Sequence, residues 1–105
     1  MVEAIVRLEV AYSSYLTATI ANEGIKVASL ELAAARRSYS RAVGLIDHSF
    51  ARNRAEAYAD QLETHYLFYE AGPDEIPEGR DVPTSAALEK SNGALITALN
   101  HYEST

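Results

Sequence analysis

Cysteine and tryptophan are absent from this sequence, phenylalanine occurs twice and methionine once. Without cysteine there is no disulfide, no thiolate metal ligand and no thiol nucleophile. A reducing compartment suits such a chain. No apolar run approaches the ~20 residues that a membrane span requires. The opening Met-Val-Glu-Ala-Ile-Val-Arg places an acid where a secretory leader carries cations, so a cytoplasmic location is expected. The three prolines all fall between positions 73 and 83, which leaves long stretches on either side free of helix breakers. Positive charge is also scarce. Nine Lys and Arg face fifteen Asp and Glu, for a net charge of −6. Such a balance opposes binding to nucleic acid, which demands phosphate neutralisation.

The charge is unevenly spread. Residues 1–55 hold seven Lys or Arg against five acids, whereas residues 56–105 hold two against ten. The acidic second half suits a basic protein partner. With 105 residues the chain fits one helical domain, 1–105. Alanine numbers 18, against 24 for Ile, Leu, Val and Phe together. Alanine favours helix but buries little area, so helices built from it must pack closely or share a core with another copy.

Apolar spacing predicts helices. Ile5, Leu8, Tyr12, Tyr15 and Thr19 recur at 3-4 spacing over residues 2–22, with Val6, Leu16 and Ile20 widening the face. Asn22-Glu23-Gly24 supplies a stop, with Gly24 suited to a left-handed position. A β-hairpin rivals this reading, because Val6, Leu8, Val10 and Tyr12 also alternate. Residues 25–47 carry the longest repeat: Ile25, Ala28, Leu32, Ala35, Tyr39, Ala42 and Ile46, flanked by Leu30, Val43 and Leu45. Ala51, Ala55, Tyr58, Leu62, His65 and Tyr69 continue the spacing over 49–71, with Asp47 or Ser49 as the cap. A proline-bearing acidic loop is expected over 72–83. A last helix then runs from Thr84 to Tyr102, with Leu88, Leu95, Leu99 and Tyr102 as its large residues and Gly93 weakening its middle. The expected fold is all-α: an antiparallel helical bundle of three long helices plus a shorter C-terminal helix, assembled as an oligomer.

No catalytic constellation emerges. His48, His65 and His101 lack zinc-ligand spacing, and no metal or cofactor is expected. Three groups of residues are candidates for function. Arg36, Arg37, Arg41, Arg52 and Arg54 could converge on a small phosphorylated ligand if the second and third helices pack side by side. Glu56, Asp60, Glu63, Asp74 and Glu75 offer an acidic face to a basic partner. Tyr12, Tyr15, Tyr39, Tyr58 and Tyr69 lie on the helical seams, and tyrosine serves both cores and interfaces. The leading expectation is a non-enzymatic protein-interaction module (adaptor, immunity-type protein or inhibitor) that acts as a homo-oligomer. A binder of phosphorylated ligands is the alternative.

Overall fold

The computed structural model describes residues 1–71 and 82–102, without the side chains of 69–71. Among these residues there are four helices and no strand: α1 (Val2–Ala21), α2 (Ile25–Gly44), α3 (Ser49–Ala71) and α4 (Ser85–Tyr102). The fold is all-α. The hairpin alternative for residues 2–22 fails, because Ile5, Leu8, Ala11 and Tyr12 share one buried helical face. Helical burial of that face wins over the local alternation of Val6, Leu8 and Val10.

The junctions explain where each helix stops. Asn22, not Gly24, ends α1. It adopts the left-handed conformation at φ 53°, and the N–H groups of Asn22 and Glu23 bond the carbonyls of Thr19 and Ala18. These two bonds form a Schellman closure. Gly24 also has a positive φ, 71°, but it does so as the residue that opens α2. At its other end α2 stops at Gly44, short of the expected Asp47. The N–H groups of Leu45 and Ile46 there turn back to the carbonyls of Ala42 and Val43.

Neither Asp47 nor Ser49 caps α3. His48 does: its Nδ1 accepts from the N–H of Phe50 at 3.2 Å, and its carbonyl accepts from the N–H of Arg52. The imidazole is further held against the Tyr102 ring, 3.8 Å between centroids. Thr84 caps α4 as expected, its Oγ1 accepting from the N–H of Ala87 at 3.1 Å. Of the expected loop, positions 72–81 lie outside the described residues.

The core is drawn from all four helices. Ile5, Leu8 and Tyr12 of α1 meet Ala35 and Tyr39 of α2, Ala51, Ala55, Tyr58 and Leu62 of α3, and Leu88, Leu95 and Leu99 of α4. Ala51 and Ala55 are wholly buried, so the neighbours of α3 approach its backbone closely. The Cα extents are 45 × 31 × 19 Å. With helices about 10 Å across, the short axis holds only two layers. Several residues expected inside lie outside as a result. Val6, Ile20, Leu30 and Leu45 are exposed, because a two-layer body gives each helix only one covered face.

Gly93 is helical, and a Cβ placed there meets nothing within 4 Å. Gly93→Ala is therefore expected to stabilise the fold by about 0.5–1 kcal/mol by restricting the unfolded chain. Urea unfolding followed by circular dichroism checks this.

Candidate functional site

Among the described residues, several concave regions combine polar and aromatic groups. The first runs between α2 and α3. Its floor is Leu8 and Tyr12 of α1 with Tyr39 of α2, and its walls are Arg36 and Ser40 on one side and Ala59, Asp60 and Glu63 on the other, around a cavity of about 200 Å³. It continues past Tyr15, Ser29, Leu32 and Tyr66 into a second hollow of about 290 Å³. Heptad spacing puts these residues here, since both helices turn their flanking positions toward the same gap. Arg36 Nη2 and Glu63 Oε2 stand 3.7 Å apart across it, each about half exposed. A pair this open is weak, because water competes for both ends. The Tyr12 and Tyr66 rings stack at 5.3 Å within the groove.

The second region lies between α1, α3 and α4 and encloses about 490 Å³. At its base the Tyr58 hydroxyl donates to Glu9 Oε2 at 2.7 Å, and Asn92 Nδ2 donates to the same oxygen at 3.2 Å. Asn92 Nδ2 also lies 3.3 Å from the Tyr58 oxygen. His65 Nδ1 bonds the carbonyl of Pro83 at 2.8 Å, which fixes the chain entering α4. These groups are mutually satisfied, so their first effect is to join helices.

The five arginines do not gather in one place. Arg36 borders the α2–α3 groove, and Arg52 lines a neighbouring hollow with Tyr39, Ser40 and Glu56. Arg54 turns away and lies over the Phe50 ring at 5.0 Å. Arg37 and Arg41 are exposed on α2. Three of the five acids do share a region: Glu56, Asp60 and Glu63 all line hollows along the α3 wall. Asp74 and Glu75 lie outside the described residues.

Of the seam tyrosines, Tyr12, Tyr39 and Tyr58 are buried within this chain. Tyr39 donates its hydroxyl to the carbonyl of Ala55. Tyr15 is half-buried, and the side chain of Tyr69 is outside the described set. Sequence reasoning missed Glu9 and Asn92. The signal available was an acid and an amide beside core positions Leu8 and Leu95.

The chain matches no known family model, no curated protein and no solved structure. Among the described residues no helix is long and apolar enough to cross a membrane. No group of three or more His, Asp or Glu among them is placed to hold a metal ion.

Burial raises the hydroxyl pKa values of Tyr12, Tyr39, Tyr58 and Tyr66 above the ordinary 10.0. For Tyr58 the hydrogen bond to Glu9 adds to the effect, since a phenolate would lose its donated proton there. Below the ordinary value both folded and unfolded chains hold these protons. Above it the unfolded chain ionises first, so stability is expected to fall as pH climbs past 10.0. Denaturation midpoints at about pH 8 and about pH 11 test the slope, and Tyr39→Phe should flatten it.

Proposed function

We propose that this chain is a small non-enzymatic protein-interaction module that acts as a homo-oligomer, an adaptor or inhibitor of a larger assembly. One observation carries the reading. Six large apolar side chains of α1 and α2 (Val2, Val6, Val10, Ile20, Val27 and Leu30) stand more than half exposed. An isolated exposed leucine is ordinary, but apolar groups concentrated on one helix pair mark a contact surface. The frame is an antiparallel bundle. Arg7 near the start of α1 bonds Ser38 near the end of α2 at 2.8 Å, and His48 before α3 stacks on Tyr102 at the end of α4.

The acidic wall of α3 supports a second contact, with a basic partner, through Glu56, Asp60 and Glu63. Scattered as they are, the arginines give the phosphorylated-ligand alternative less support, resting on Arg36 and Arg52.

Light scattering at tens of micromolar tests self-association. A mass near twice 11.5 kDa is expected, and a mass of one chain counts against the reading. Pull-downs with a Glu56→Gln, Asp60→Asn, Glu63→Gln variant test the basic partner. Capture should weaken in the variant and fall with salt in the wild type.

A further inference from the structure

We propose that α1 carries the two-fold seam of a homodimer, formed by Val2, Val6 and Val10 and registered by Glu3 facing Arg7 of the second copy. The inference rests on the homo-oligomeric reading above and assigns it a surface. The three valines recur every four residues, so they form one stripe along α1. They are 56, 52 and 58% exposed, while Ile5 and Leu8, on the face of the same helix turned to the core, are at 1%. Thus α1 is apolar on two sides, and the described residues cover only one. Valine has few rotamers to lose, so ordering this stripe against a partner costs little entropy.

The surroundings of the stripe choose the partner. Val2, Val6 and Val10 share one hollow of about 620 Å³ with Glu3, Arg7 and Glu31, floored by Ala11. Arg7 is already held there by its 2.8 Å bond to Ser38. A wholly basic or wholly acidic partner meets a like charge on such a surface. A second α1 crossing the first in the opposite direction does not. With the two-fold axis near residue 5, Glu3 of each copy lies opposite Arg7 of the other, Val6 drops between Val2 and Val6 of the facing helix, and Val10 marks the edge of the seam at the facing N-terminus. One patch then serves both copies, as a two-fold contact requires.

The available area suits a modest affinity. With the axis near residue 5, residues 1–9 of the two α1 helices overlap over about 13 Å, which places the contact below the ~800 Å² per partner of a standard interface.

Sedimentation equilibrium on the full chain tests the seam. Wild type is expected to dimerise. Val6→Glu places a charge in the stripe and should raise the dissociation constant at least about tenfold. Because Val6 is exposed, the variant should keep its helical circular dichroism. Glu3→Arg and Arg7→Glu should each weaken self-association roughly fivefold through like-charge contacts. Mixing those two single variants should restore dimers, since each supplies the charges the other lacks. A contact within one helix cannot produce that rescue. A wild-type dimer indifferent to Val6→Glu, or single charge variants that fail to recover on mixing, would overturn the seam while leaving homo-oligomerisation standing. A wild type that stays monomeric at 200 µM would overturn both.

Discussion

The hydroxyl of Tyr58 sits at the constraint on which this fold depends. Helices rich in alanine approach closely but leave gaps that alanine cannot fill. A large ring fills such a gap, and in this chain without tryptophan the ring is usually tyrosine. Burying the ring brings a hydroxyl inside, and an unpaired hydroxyl there is costly. Tyr58 meets that demand by donating to Glu9 of α1, whose oxygen also accepts from Asn92 of α4. Tyr39 of α2 meets it by donating to the Ala55 carbonyl of α3. Two hydroxyls thereby tie all four helices to one another. Glu9 is only half-buried and accepts both bonds at one carboxylate oxygen.

The same economy explains the surface. Core rings and alanines make a body two layers thick, so among the described residues one face of each helix remains uncovered. On α3 that face is acidic and soluble. On α1 it is a row of valines, which adds nothing to the core and is costly to leave in water. The function proposed for the chain follows from this imbalance: the core tyrosines and the node they form are hydrogen-bonded, Gln61 Oε1 is buried without a partner among the described residues, and apolar area is left over outside.

Much of the fold was legible in the sequence. Most seam positions are buried: Ala51, Ala55, Tyr58, Leu62 and His65 of α3, Ile5, Leu8 and Tyr12 of α1, and Ala28, Ala35, Tyr39 and Ile46 of residues 25–47. Strict 3-4 spacing fixes one face of a helix, while Tyr15, Thr19, Ile25, Leu32 and Ala42 are only half-buried. Helix ends were less legible. Asn22 took the turn expected of Gly24, and His48 took the cap expected of Asp47 or Ser49, since several residues near each end have the required chemistry and tertiary contact selects one. Val6, Ile20, Leu30 and Leu45 were misplaced for a related reason: periodicity says which residues share a face but not whether anything covers it. The polar node was the least legible. Glu9 and Asn92 are separated by 83 positions, and their pairing appears only once α1 and α4 both flank α3.

A double-mutant cycle on Tyr58→Phe and Glu9→Gln, read by urea denaturation, tests most directly whether the tyrosine hydroxyls hold the four helices together. A coupling energy of about 1 kcal/mol or more is expected for a charge-assisted bond at a shared node. Additive losses, or two variants each as stable as the wild type, would contradict the account.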